Sequence, residues 1–257
     1  MDQTPAMKHA VRRKPSLFFT LTGWVLGVPV TFLIAFLALL AFIPSRNGAV
    51  VHFFSRVWGR TILFLTGIRV EMTGTQHLPE SGVPVLIVAN HQSMFDIFAF
   101  AGYLPIRFAW IAKKELFRFP LVGAAMKAAG YIAIDRMQRD NAHQALENAA
   151  QQLRSHAVVI FPEGTRTRTG RVGRFKLGAA YLVHSANTPL IPVTITGSYQ
   201  CLPKHSVWVS PGTIRIRIDP PIPTAGKTRE TIIAELNEIR ERIKTRVESR
   251  GDRPGSD

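Results

Sequence analysis

Residues Leu17 to Pro44 run for 28 positions without one ionisable side chain, between Lys14 and Arg46. At about 1.5 Å per helical residue the run reaches roughly 42 Å, against roughly 30 Å of bilayer hydrocarbon, so it is long enough to cross a membrane with tilt. Pro29 removes a backbone donor near its middle and predicts a kink or break. The halves 17 to 28 and 30 to 43 are then each about 20 Å long, which also permits a re-entrant hairpin in one leaflet. A signal peptide fits less well, since the run is about twice the usual apolar length and no small-residue cleavage site follows it. Lys8, Arg12, Arg13 and Lys14 precede the run and favour a cytoplasmic N-terminus. A single crossing would export the rest of the chain, whereas a hairpin would return it.

The stretch Ala49 to Ile68 predicts a helix, with Val50, Phe53, Phe54, Val57, Trp58, Ile62 and Leu65 on one broad face. Arg56 and Arg60 sit four apart on the other. Such a helix covers a core or lies at a membrane interface.

Composition narrows the rest. The 257 residues carry 32 Lys plus Arg against 17 Asp plus Glu, a net charge of +15, yet 46% of positions are hydrophobic. A disordered polycation is poor in apolar residues and a multi-span membrane protein shows several long uncharged runs, so one core domain of ordinary size fits best. The excess charge implies an anionic partner: nucleic acid, an anionic membrane surface or a phosphorylated substrate. A single cysteine, Cys201, excludes an internal disulfide framework and cysteine-rich metal sites, and fits a reducing compartment. The eight histidines are scattered without metal-ligand spacing.

From Gly67 onward, short Val- and Ile-rich runs alternate with helical patterns, which predicts an α/β domain. Strands are expected at 68–73, 84–89, 107–112, 131–134, 157–161, 190–196 and 213–218, and helices at 95–103, 120–129, 139–154, 174–187 and 228–248. The expected architecture is a mixed central sheet flanked by helices, preceded by a membrane-embedded helical segment. It divides into a membrane-associated segment at 1–66, a catalytic domain at 67–249 and a disordered tail at 250–257. No Walker loop, dinucleotide glycine fingerprint or Gly-x-Ser-x-Gly elbow is present.

Two segments carry chemistry. In Val83 to Phe100, a buried-type strand ends at Ala89 and Asn90, His91, Gln92 and Ser93 follow where strand hands over to helix, the position of ligand sites in α/β sheets. Asp96 can fold back onto one imidazole nitrogen of His91, leaving the other as a base. The same pair also fits a helix-capping histidine and a first-turn acid. In Val158 to Leu182, a second strand ends in Pro162, Glu163, Gly164, Thr165 and Arg166. Arg166, Arg168, Arg171, Arg174 and Lys176 follow closely, a loop suited to phosphate, with Arg166 able to engage it bidentately. A solvated basic loop or a nucleic-acid contact fits those cations equally.

The two segments together resemble the glycerolipid acyltransferases. NHQSMFD, with His91 and Asp96, is similar to the family's first block, and FPEGTR, Phe161 to Arg166, to its third. Ala112 to Arg136 resembles the lysine block with its Gly-x-Ile-x-Ile-Asp-Arg strand, and Ile191-Pro192-Val193 the fourth block. The resemblance covers roughly residues 83 to 196 and implies transfer of a fatty acyl chain to the sn-2 hydroxyl of lysophosphatidic acid, giving phosphatidic acid. His91 is then the general base and Asp96 orients it. Glu163, Gly164, Thr165 and Arg166 form the acceptor site, with Lys113 and Arg136 reaching for the same phosphate. The donor is acyl-CoA or acyl carrier protein, with backbone amides near Asn90 to Ser93 or Gly164 meeting the oxyanion. No metal or cofactor is implied, and no nucleic-acid partner.

A cytosolic donor favours the hairpin over a single crossing. The expected location is the cytoplasmic membrane, with the catalytic domain facing the cytoplasm and Lys8 to Lys14 and Arg46 to Arg60 facing anionic phospholipid. Acceptors with other head groups, a thioesterase, or a basic membrane tether without catalysis are the competing readings.

Overall fold

In a computed structural model of the chain, residues 14–134, 146–147, 149–151, 153–154 and 156–251 are described. Arg136, Lys8, Arg12, Arg13, much of the helix expected at 139–154 and the tail from 252 lie outside them.

The apolar run forms one helix, α1, from Leu17 to Ser45. Ser16 caps its start, its hydroxyl accepting from the Phe19 amide. The break expected at Pro29 is absent. A π-turn at Thr22–Leu26 lies just upstream, widening the helix where the proline ring would meet the carbonyl four residues back and absorbing the missing donor. The chain reverses instead at Arg46, in a left-handed conformation (φ 49°), and Asn47, whose side chain caps α2 (Gly48–Leu65). The helical hairpin therefore consists of α1 and α2, with its turn 17 residues beyond the proline. Only 17% of the most apolar window of α1 is buried.

Among the described residues the sheet has seven strands: β1 (Ile68–Thr73), β2 (Val85–Ala89), β3 (Phe108–Lys113), β4 (Ile132–Ile134), β5 (Ala157–Ile160), β6 (Leu190–Thr196) and β7 (Gly212–Ile218). Their spatial order is β1-β7-β6-β2-β5-β3-β4. All adjacent pairs are parallel except β6 and β7, which makes the sheet mixed as expected. Each of the five residues of β2 is buried, which is why its sequence is an unbroken apolar run.

Further helices among the described residues are α3 (Phe95–Tyr103), α4 (Val122–Ala128), α5 (Gly178–Ala186), α6 (Ser198–Cys201) and α7 (Arg229–Gly251). One core packs α2 and α3 against the sheet; the other packs α5, α7 and Ala149, Ala150 and Leu153 on the opposite face. From β2 the chain proceeds through α3 to β3, and from β5 through α5 to β6. The loops leaving these two neighbouring strands diverge, opening a crevice at their carboxyl ends.

Packing is continuous across residue 66. At the crossing of α2 and α3, a Cβ on Gly59 would lie 2.5 Å from the Phe98 carbonyl oxygen and 2.6 Å from the Gly102 nitrogen. Arg56 and Arg60, expected to face lipid, instead donate to the carbonyls of Leu104 and Gly102. They satisfy carbonyls that the end of α3 leaves unpaired, with favourable charge at that pole.

His52 on α2 is buried, bonded through Nε2 to the Ile106 carbonyl at 3.2 Å and edge-on to Phe108. Burial, helped by the nearby Arg56 charge, lowers its pKa from 6.5 to about 4. The fold thus holds the neutral ring, so its contribution is complete above pH 6.5 and is lost as pH falls towards 4. The cost of acidification through this group is about 3 kcal/mol. Thermal unfolding midpoints should fall more steeply below pH 6.5 in the wild type than in His52→Gln.

Candidate active site

The register of β2 and β5, with Val88 opposite Ile160, brings the two polar exit loops side by side. His91 Nδ1 lies 2.8 Å from Asp96 Oδ2. The same carboxylate oxygen accepts from the Gln92 and Ser93 amides at 2.7 and 2.9 Å. Asp96 is fully buried, whereas the His91 side chain is 13% exposed. With Nδ1–H donating to the carboxylate, the neutral ring carries its lone pair on Nε2. His91 lines a cavity of about 750 Å³, so this nitrogen is available to a bound substrate.

Phe161 fixes the plane of the imidazole. Its ring stacks on His91 with centroids 4.0 Å apart and planes 7° from parallel. Trp110 backs Phe161 at 5.4 Å. Phe161 opens the FPEGTR block, but an aromatic after an apolar strand reads as core, and its face-on contact with a residue 70 positions away left no local signal.

Glu163 was expected in the acceptor site. It is buried, and its oxygens accept from the backbone amides of His91 and Gly173, each at 2.8 Å. The Thr167 amide donates to the His91 carbonyl at 2.9 Å. Both backbone groups of His91 are therefore held by the loop from Glu163 to Thr167. Burial raises the Glu163 pKa, opposed by the two amide bonds. Each oxygen of its carboxylate thus ties one loop in place.

Gly164 has φ +71°, a conformation that favours glycine. An added Cβ would come within 3.0 Å of the Lys176 side chain. Its amide closes a turn to the Phe161 carbonyl, and the amides of His91, Gln92 and Ser93 are also engaged. Four of the five amides expected to meet the oxyanion, those of His91, Gln92, Ser93 and Gly164, are thus already occupied.

Thr165, Arg166 and Lys176 line the cavity together with Lys113. Lys113 is about half exposed and 3.3 Å from Glu115. Thr165 Oγ1 accepts from Lys204 Nζ at 2.8 Å. Among the described residues, no carboxylate pairs with Arg166 or Lys176, which leaves their charge for an anion. No group of three or more His, Cys, Asp or Glu side chains among the described residues could hold a metal ion.

Beyond this cationic end the cavity is apolar. Its walls include Ile34, Ala35 and Ala38 of α1, and Val51, Phe54 and Trp58 of α2. The polar groups there are satisfied: Trp58 Nε1 donates to Thr31 Oγ1, which donates to the Gly27 carbonyl. The sequence assigned α1 and α2 to membrane attachment, and their part in the site depends on tertiary packing that no local pattern reveals.

Comparison with known proteins gives a consistent result. A family model described as Acyltransferase matches residues 69–196. The chain is 37% identical over 186 residues to the 1-acyl-sn-glycerol-3-phosphate acyltransferase alpha of Mus musculus, covering 71% of this chain and 65% of the relative. It is 31% identical over 225 residues to a chloroplastic 1-acyl-sn-glycerol-3-phosphate acyltransferase of Arabidopsis thaliana, covering 85% of this chain and 61% of that one. The chain thus spans less than two thirds of the length of either relative. The crystal structure of the 1-acyl-sn-glycerophosphate acyltransferase PlsC from Thermotoga maritima superimposes with a TM-score of 0.77 at 26% identity, covering 93% of this chain and 98% of that one.

Proposed function

Because this chain belongs to the acyltransferase family, we propose that it moves a fatty acyl chain from a thioester donor, acyl-CoA or acyl carrier protein, to the sn-2 hydroxyl of lysophosphatidic acid. The observation that carries this reading is the His91–Asp96 pair at a cavity lined both by the cations Lys113, Arg166 and Lys176 and by apolar side chains of α1 and α2. A substrate with a phosphate and a long acyl chain has those two needs at opposite ends of one reacting centre.

Nε2 of His91 takes the acceptor hydroxyl proton as the oxygen attacks the thioester carbonyl. The tetrahedral oxyanion collapses, the carbon–sulfur bond breaks, and the thiolate leaves with the proton returned by Nε2–H. One ester forms and one thiol is released. Asp96 offsets the transient imidazolium charge, and Phe161 limits the ring to one plane. Arg166, with Lys113 and Lys176, receives the acceptor phosphate; Arg136 is proposed for the same anion. Glu163, Gly164 and Thr165 shape the loop that presents them. His91 supplies the proton transfer and the cations the contact to the acceptor phosphate, and the reaction is proposed to use no cofactor beyond the donor.

The exposed apolar surface of α1 supports attachment to the cytoplasmic membrane, with the catalytic domain on the cytoplasmic side and anionic phospholipid as its surface partner.

A donor-by-acceptor panel, following thiol release and lipid product together, tests the reading. Lysophosphatidic acid should give one phosphatidic acid per thiol, and thiol release without acceptor would instead identify a thioesterase. Arg166→Ala should raise the KM for lysophosphatidic acid by about tenfold or more, consistent with losing a charge-assisted phosphate contact. The donor KM should stay unchanged.

A further inference from the structure

The segment from Leu202 to Pro211, joining α6 to β7, lies outside all four sequence blocks and yet connects the apolar helix to both catalytic loops. At its start, the Leu202 carbonyl accepts from Ser93 Oγ at 2.8 Å, and Lys204 reaches Thr165 Oγ1. Further along, the Val207 carbonyl accepts from Trp24 Nε1 at 2.8 Å. The Val209 amide donates to Thr20 Oγ1 at 3.0 Å, and its carbonyl accepts from the Ser16 amide at 2.9 Å. These bonds fix the segment against the first turns of α1.

Between the two anchorages, Val207 and Trp208 point outward, 58% and 49% exposed. Ser206 Oγ accepts from the Trp208 amide, and His205 is held at φ 68°. A left-handed non-glycine residue is a strained way to present two bulky apolar side chains to water. On α1, Trp24, which is bonded to Val207, is itself exposed along with its neighbours Phe18, Leu21 and Val25. The segment is also free of acidic residues and carries Lys204 and His205. Tryptophan beside basic side chains, contiguous with a long apolar helix, matches the chemistry of the interfacial layer of an anionic bilayer.

We propose that Leu202–Pro211 is a second lipid-contacting element, seated in the interfacial layer through Val207 and Trp208. It rests on the reading of α1 as membrane-associated, and it ties the height of the Ser93 and Thr165 loops to the lipid plane.

The test is a Trp208→Cys variant of the full chain carrying an environment-sensitive fluorophore, since Cys201 is buried and shielded from labelling. Vesicles of phosphatidylcholine and phosphatidylglycerol should shift the emission to the blue, and lipids brominated on the acyl chains should quench it. The same label at Asn237 on α7 should not respond. A response from a Phe18→Cys label without one at 208 would overturn the proposal and leave α1 as the membrane contact. Silence at both positions would overturn the membrane reading as well. A shift that appears without vesicles and grows with protein concentration would assign the face to a second copy, against the proposal. Without any label, Val207→Ser combined with Trp208→Ser should weaken partition onto these vesicles by about tenfold, as expected for lost interfacial apolar area. Unchanged partition would overturn the proposal.

Discussion

His91→Ala should lower acyl transfer by about 10² to 10⁴-fold, the usual worth of a positioned general base. The loss should appear in kcat, with the donor KM and the thermal unfolding midpoint close to wild type. The ring sits at a cavity wall rather than deep in a core, and its backbone bonds to Glu163 and Thr167 do not depend on the side chain. Asp96→Asn should act in the same direction. An amide oxygen can still accept from the Gln92 and Ser93 amides, so the turn survives, but the charge opposing the imidazolium is gone. A folded His91→Ala protein with wild-type kcat would remove the histidine from the mechanism.

The second large effect is on stability. Gly59→Val should cost about 3 kcal/mol or more, because the added atoms meet backbone rather than movable side chain. The nearest groups are the Phe98 carbonyl and the Gly102 nitrogen, both fixed in α3. Relief requires α2 to move away from α3, which would also shift the Val51, Phe54 and Trp58 wall of the cavity. The unfolding midpoint should drop, and the activity that remains should favour different acyl lengths. An unchanged midpoint would mean that the two helices are free to separate without loss.

Where the sequence was legible, one residue type did one job over a short span. The strands β2 and β5 are buried on both faces and so appear as plain apolar runs, and the polar residues after them mark the crevice. Boundaries drifted where two elements share an apolar pattern. The helix expected at 49–68 ends at Leu65, since Thr66 and a left-handed Gly67 stop it and Ile68 already belongs to β1. The helix expected from 174 begins at Gly178, because Phe175 is buried as part of a loop that fills the second core. Motif residues were legible as a set, but their division of labour was not. Glu163 looks like a substrate ligand in its loop, and only the fold brings the His91 and Gly173 amides to it. Likewise Arg56 and Arg60 look like a cationic face until the end of α3 arrives beneath them.

The Asp96 carboxylate makes a small closed ring: one oxygen gathers the imidazole five residues back and the amides four and three residues back. Such a ring is a ruler. It fixes the number of residues between histidine and acid more strictly than their identity, since one residue more or fewer would separate the carboxylate from all three donors together. The unit that the chain must preserve here is a length, and side chains within it, such as Met94, are constrained mainly by what they touch outside the ring.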